Sequence, residues 1–345
     1  MINSLTLTDF RNHEHFRINT NGCRNIAITG PNGSGKTAVL EALSMLGGNS
    51  GFRGAPICDM ARFGSSGFSV FAALTDDTEI SVSWNSGDAN RRARIAGDSA
   101  PLSELAAHLR IVWLTPREDR LFVDSTSDRR NFFDRLVAGF DPAHSGRVAR
   151  LSKLLSERAF ALKNGAADAW LAPIESQIAG TAVAVACARV RYAAEINYFL
   201  EDAAISVNGM LEEMQTPAAD IEREYANYLA ANRELIADKM NIAGAHKSDF
   251  AVFSQVHNLP ASFLSTGQQK SVLLKLILAH AKLIRARAGK SAIVLIDEAD
   301  AHLDAVARQK FFDELAATDA QVFATGIDAE NFAGIDNAVF VRLEL

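Results

Sequence analysis

The sequence predicts an α/β fold in which the two ends of the chain build one domain, with an antiparallel β meander, and the middle forms a helical insertion (arm) subdomain. Three observations predict it. Near the start, the apolar run Asn25–Thr29 stops at a glycine-rich stretch. Lys36–Leu46 follows it with Val39, Leu40, Leu43 and Leu46 at helical spacing. Near the end, a helical pattern over about Gln268–Ile284 precedes the β-branched run Ala292–Ile296. A helix over about Asp304–Leu315 and the runs Gln321–Thr325 and Ala338–Leu343 complete a strand–helix alternation, which implies a parallel sheet. Between these ends, residues 101–243 are alanine-rich, poor in glycine and periodic as helices, with breaks near Asp141–Pro142, Asn164–Gly165 and Thr216–Pro217. The expected division is therefore residues 1–110 with 244–345 as one domain and 111–243 as the insertion.

The remaining elements follow the same rules. Leu5, Leu7 and Phe10 mark a first strand. From Ser66 to Trp84 apolar and polar residues alternate, with Asp76–Asp77 as a turn. Asn85–Asp88 is a second turn, and Asn90–Ile95 a further strand. Apolar residues at 48% and charged residues at 22% are globular values and exclude a disordered chain. The net charge of −6 excludes a wholly basic coat but leaves room for a local basic face. Cys23, Cys58 and Cys187 have neither disulfide nor zinc-site spacing, so they are expected as buried small residues in a reducing compartment. The N-terminal stretch has no apolar signal-peptide core. The longest apolar stretch, Val272–Ile284, is broken by Lys275, His280 and Lys282. No membrane association and a cytoplasmic location are expected.

The chemistry is carried by short motifs. Gly30-Pro31-Asn32-Gly33-Ser34-Gly35-Lys36-Thr37 matches the phosphate-binding P-loop in full, between a strand and a helix. Its backbone N–H groups and the following helix N-terminus attract phosphate oxygens, Lys36 reaches the β- and γ-phosphates, and the Thr37 hydroxyl ligates Mg²⁺. The strand Ile293–Ile296 ends in Asp297 and Glu298. Asp297 is placed to hold the metal, and Glu298 to polarise the attacking water. ATP and Mg²⁺ are therefore the expected cofactors, with Lys36 and Glu298 the catalytic pair. Leu264-Ser265-Thr266-Gly267-Gln268-Gln269-Lys270 reads as a capped helix start, another place where anions bind.

Basic residues cluster at Arg91, Arg92 and Arg94, and at Arg147, Arg150, Lys153 and Arg158 beside the apolar stripe Val148, Leu151, Leu155 and Leu162. A third group is Arg129, Arg130 and Arg135. Such clusters supply sequence-independent contacts to DNA phosphates, or are solvated helix faces. No aromatic ladder for stacking single strands accompanies them.

The motif order resembles the ABC superfamily. Ser265, Gly267 and Gln268 stand where its signature stands, Asp304 where its D-loop stands, and Thr325 at its switch position, where transporters carry histidine. Within that superfamily the chain resembles the RecF family of bacterial DNA-repair proteins. The residues that carry the resemblance are Phe10-Arg11-Asn12-His13, the P-loop, Leu114-Thr115-Pro116 through Ser127-Asp128-Arg129-Arg130, Gly244-Ala245-His246-Lys247, and the run from Asp297 to Asp304. After Pro116 the family's Glu and Asp stand one position further on, as Glu118 and Asp119. The resemblance implies an ABC-type P-loop ATPase head, with Arg11, Asn12, Ser265, Gly267, Gln268, Asp304 and Thr325 around nucleotide. It also implies an ATP-dependent homodimer in which each signature closes on the partner's ATP. It further implies clamping of duplex or gapped DNA, slow DNA-stimulated hydrolysis, and action with RecO and RecR in recombinational repair. An SMC-like structural or nuclease-associated ATPase is the alternative, but it needs long coiled coils between Lys36 and Leu264, where no heptad run is sustained. A transporter subunit would be shorter between its motifs.

Overall fold

The computed structural model describes residues 1–209, 217–234, 242–299 and 305–344. In chain order the elements are β1 (Ile2–Phe10), β2 (His13–Asn19), β3 (Asn25–Thr29), α1 (Lys36–Met45), β4 (Gly67–Leu74), β5 (Glu79–Asn85), β6 (Arg92–Ile95), β7 (Asp98–Ala100), α2 (Leu102–His108) and β8 (Arg110–Leu114). Next come α3 (Thr126–Phe140), α4 (His144–Lys163), α5 (Asp168–Asn197), β9 (Ala203–Asn208), α6 (Ala218–Ala231), β10 (Asp249–Ser254) and β11 (Leu259–Pro260). The last are α7 (Thr266–Ala288), β12 (Ala292–Ile296), α8 (Ala305–Ala316), β13 (Gln321–Gly326) and β14 (Ala338–Arg342). The chain divides into two compact units, Met1–Arg120 with Ser265–Leu345, and Leu121–Leu264.

The first unit holds two sheets. One is antiparallel, in the order β2-β1-β4-β5-β6-β7. Its strands bury alternate residues, as β4 does with Phe68, Val70, Ala72 and Leu74, because only one face is covered. The other is parallel, in the order β14-β3-β13-β12-β8. Every residue of β3, β12 and β13 is buried, as expected of strands covered on both faces. The apolar faces of both sheets and of α1 meet in one core that includes Leu5, Phe10, Ile28, Leu43, Val70 and Phe323. Gln321, wholly buried, fastens β13 to the start of the chain: its Oε1 accepts from Ile2 N at 2.8 Å, and its Nε2 donates to Ile2 O at 2.8 Å and Cys23 O at 3.0 Å.

The second unit packs α4, α5 and α6 around Leu151, Ile178, Ala182, Val185, Tyr225 and Leu229. It also carries a three-stranded antiparallel sheet, β11-β10-β9. By length and composition α5 could cross a membrane. In the structure α5 is a core helix, with Ile178, Ala182, Val185, Tyr192 and Ile196 at most 2% exposed.

Residues 101–243 are mostly helical, with β8 and β9 as the strands among the described residues. The expected domain boundaries need correction. β8 pairs in parallel with β12 along its length, so residues 111–120 go with the first unit, whereas β10 pairs with β9, so 244–264 go with the second.

Candidate active site

Strand order makes the site. β13 lies between β3 and β12, with Gly326 beside Thr29 and Ala324 beside Ile296. The C-terminal ends of three parallel strands therefore deliver the P-loop, Thr325–Gly326 and Asp297–Glu298 side by side, where parallel sheets bind ligands.

The P-loop is shaped by what packs under it. Gly35, the N-cap of α1, has φ +94°, and a Cβ added there would lie 2.4 Å from His13 Nε2 and 2.6 Å from the Asn12 amide. Only glycine fits. His13 Nε2 lies 3.2 Å from the Gly35 carbonyl, and its partial burial lowers the imidazole pKa. No side chain caps α1, and its first turn holds no acidic residue, so the helix end is free to receive an anion. Lys36 Nζ donates to Gly30 O at 2.6 Å and Pro31 O at 2.9 Å, which holds the ammonium over the loop. The Ser34 hydroxyl is buried with no hydrogen-bond partner among the described residues. These features fit a bound triphosphate.

Asp297 Oδ1 accepts from Thr37 Oγ1 at 3.1 Å and from Thr325 Oγ1 at 2.7 Å. A hydroxyl has one proton to give. Having donated it to Asp297, Thr325 Oγ1 accepts from Glu298 N at 2.9 Å, while Thr325 O accepts from Ala299 N at 2.9 Å. Glu298 has φ +53°, a left-handed conformation that costs energy in a non-glycine residue. Thr325, fully buried, thus fixes both acidic residues from below and does not reach the cavity surface. The expectation that Thr325 meets nucleotide directly is corrected accordingly. One carboxylate and one hydroxyl, Asp297 and Thr37, converge as a metal would require. Phosphate oxygens and water would have to supply the other ligands.

A cavity of about 1090 Å³ opens over these groups. Arg11, Asn12, Asn32, Gly33, Gly35, Lys36, Thr37, Asp297 and Glu298 line it. Arg11 also has φ +55°; its guanidinium forks onto the fully buried Glu41 at 2.8 and 3.0 Å and donates to Asp59 O at 2.7 Å. Cys58, expected to be buried, is exposed in the cavity wall. Motifs do not reveal this wall, made by Cys58, Asp59 and residues 61–65 with Trp84 and Ser86, which contains no recognisable pattern.

Other expected residues lie elsewhere. Ser265 and Gln268 form a reciprocal capping box at the start of α7, with Ser265 and Gly267 exposed, and none of the three lines the cavity. Asp304 lies outside the described residues. Glu118 turns inward, accepting from Thr115 N at 2.8 Å and Thr115 Oγ1 at 2.7 Å. Asp119 meets Lys270 of α7 at 3.2 Å, where burial lowers the lysine's pKa.

The basic clusters divide. Arg91 is half-buried, its pKa lowered by burial, with Nη1 on Asn49 O at 2.5 Å, so it is not part of an open basic face. Arg92 and Arg94 are exposed on one face of β6, and Arg92 pairs with Asp88. On α4, Arg147, Arg150 and Lys153 sit at three-residue spacing and contact Asp141, Gln177 and Glu157. Arg158 is a correction: it is 1% exposed and bound to the buried Glu175, which Arg233 also engages. Arg129 forks onto Asp249 at 2.6 and 2.9 Å.

Comparisons with known proteins agree with this architecture. Residues 1–344 match the RecF/RecN/SMC N terminal domain family. The DNA replication and repair protein RecF of Allorhizobium ampelinum is 40% identical, covering 99% of this chain and 97% of its own. That of Mesorhizobium japonicum is 38% identical, over 97% and 93%. Among solved structures, the recombination mediator protein RecF-ATPrS superposes with TM-score 0.84 at 19% identity, covering 96% of this chain and 93% of that one. The Smc head domain of Pyrococcus furiosus reaches 0.54 at 16% identity, over 99% and 94%. The chain belongs to the RecF family.

Proposed function

We propose that this protein is an ATP-dependent DNA-binding protein of recombinational repair. ATP holds a homodimer that clamps duplex or gapped DNA, slow DNA-stimulated hydrolysis releases it, and the protein acts in the cytoplasm with RecO and RecR. The observation that carries the ATPase reading is the meeting of the P-loop with Asp297 and Glu298, joined by hydroxyls of Thr37 and Thr325. Lys36 and the amides at the start of α1 bind the phosphates. Thr37 and Asp297 hold Mg²⁺, which neutralises phosphate charge when bound. Glu298, exposed at the strand end, orients the attacking water and takes its proton on a carboxylate oxygen.

The dimer reading is supported by the placement of the signature-like cap: Ser265 and Gly267 are exposed and Gln268 is partly exposed, yet all three lie outside the cavity that holds their own P-loop. DNA binding rests on the RecF family and on the open faces bearing Arg92 with Arg94 and Arg147, Arg150 with Lys153. The ion pairs made there lie at the surface, with Arg147–Asp141 only partly buried, and surface pairs are worth about 1 kcal/mol or less, so phosphates can displace them. The longest helix among the described residues, α5, has 30 residues, short of the coiled-coil arm the SMC alternative needs.

Fluorescence anisotropy on duplex, single-stranded and gapped DNA, with and without Mg²⁺-ATP at several salt concentrations, tests the proposal. ATP is expected to raise duplex affinity, with log K falling linearly against log salt. Equal affinity with and without ATP would refute ATP-controlled clamping.

A further inference from the structure

The groups assigned to phosphate and metal account for only part of the cavity lining. Cys58, Asp59, residues 61–65, Trp84 and Ser86 also line it and are not among those groups. Of these, Phe63 is 100% exposed, although it is among the residues that bound the cavity.

This ring does not hang on a loose loop. Arg62 N donates to Asp9 O at 2.7 Å, and Arg62 Nε to Asp9 Oδ1 at 2.7 Å. Ser65 N closes back on Arg62 O at 3.0 Å, and the single proton of Ser65 Oγ is shared between Arg62 O at 2.8 Å and Gly67 O at 3.0 Å. Gly64 has φ +85°, the value that the third position of a type II turn demands. Phe63 is therefore the tip of a turn fastened at both feet. Folding gains nothing from an apolar ring held in water, whereas a ligand entering the cavity meets an exposed π-face carried on a fastened turn.

We infer that Phe63 is the platform on which the base of the bound nucleotide stacks; the inference rests on the ATP-binding reading above. Phosphates are recognised at the P-loop and the base at Phe63, both of which line one cavity. Stacking uses the π-face common to all bases, so the ring supplies affinity for a nucleobase, strongest for a purine, without choosing between adenine and guanine.

Calorimetric titration of the full chain with Mg²⁺-ATP and with inorganic tripolyphosphate tests this. Phe63→Ala is expected to weaken ATP binding by about tenfold, the loss typical of removing a base–aromatic stack, and to leave tripolyphosphate affinity unchanged. Phe63→Trp is expected to keep ATP affinity and to show indole quenching by ATP but not by tripolyphosphate. If Phe63→Ala binds ATP as the unmodified chain does, or loses both ligands equally, the inference is overturned. Loss of dimerisation with ATP affinity intact overturns it too and moves the ring to a subunit interface. If the unmodified chain binds neither ligand, the P-loop reading itself fails, a result distinct from a failure at Phe63 alone.

Discussion

Replacing Thr325 by valine tests the hub beneath the two acidic residues. The side chains have nearly the same shape, so the core packing survives and only the hydroxyl is lost. That hydroxyl donates to Asp297 at 2.7 Å and accepts from Glu298 N at 2.9 Å. A hydrogen bond to a carboxylate is worth about 1.5–3 kcal/mol and an amide bond about 1, so removing both frees about 3 kcal/mol of positioning energy. The Glu298 amide also loses the partner that holds its left-handed backbone. If most of that energy is expressed in placing metal and water, single-turnover hydrolysis should slow by about 10- to 100-fold. ATP affinity should stay within about threefold, because Thr325 does not reach the cavity. Thr325→Ser keeps the hydroxyl and should recover most of the rate. Unimpaired hydrolysis in Thr325→Val, or a serine variant as slow as the valine one, would refute the reasoning.

Glu298→Gln should bind ATP normally, hydrolyse it at least about 100-fold more slowly, and accumulate as an ATP-bound dimer in light scattering; a normal turnover rate would remove Glu298 from the chemistry. Ser265→Arg should abolish the ATP-dependent dimer while each monomer still binds ATP. Ser265→Ala, which loses only a helix cap worth about 1 kcal/mol, should still dimerise, and an intact dimer in the arginine variant would contradict a signature acting across subunits. His280, buried in α7, has its pKa lowered to about 3 by burial and so folds neutral. Its stabilisation is complete above the unfolded value of about 6.5 and is lost as pH falls toward 3, about 2 kcal/mol by pH 5. Thermal melts of His280→Leu should show a flatter acid limb than the unmodified chain, and identical limbs would exclude His280 as a source of acid sensitivity.

The P-loop and the Asp297–Glu298 strand end were legible because their chemistry depends on residues adjacent in sequence. The work of Thr325 was not, since it follows from β13 lying between β3 and β12, and strand order is a property of topology. β8 was absorbed into a helical reading because it is five residues long and enters directly from α2. Arg158 could have been foreseen: it falls four residues after Leu154 and seven after Leu151, on the stripe that faces inward. Arg91 could not, as its burial depends on Asn49, far away in the chain. The cavity wall around Phe63 carries no motif, and only the exposure of a ring on a fastened turn draws notice to it.

The position of β3 in its sheet also sets a timetable for synthesis. Both of its neighbours, β13 and β14, come from the far end of the chain. At ~5–20 residues per second, β3 leaves the ribosome on the order of 15–60 s before β14 exists to cover it. Throughout that interval the apolar run Asn25–Thr29 has neither strand partner, while the second unit, Leu121–Leu264, emerges whole and free to fold. The nucleotide-binding half of the molecule is therefore begun first and finished last. During that wait its unpaired strand is open to chaperones and to aggregation.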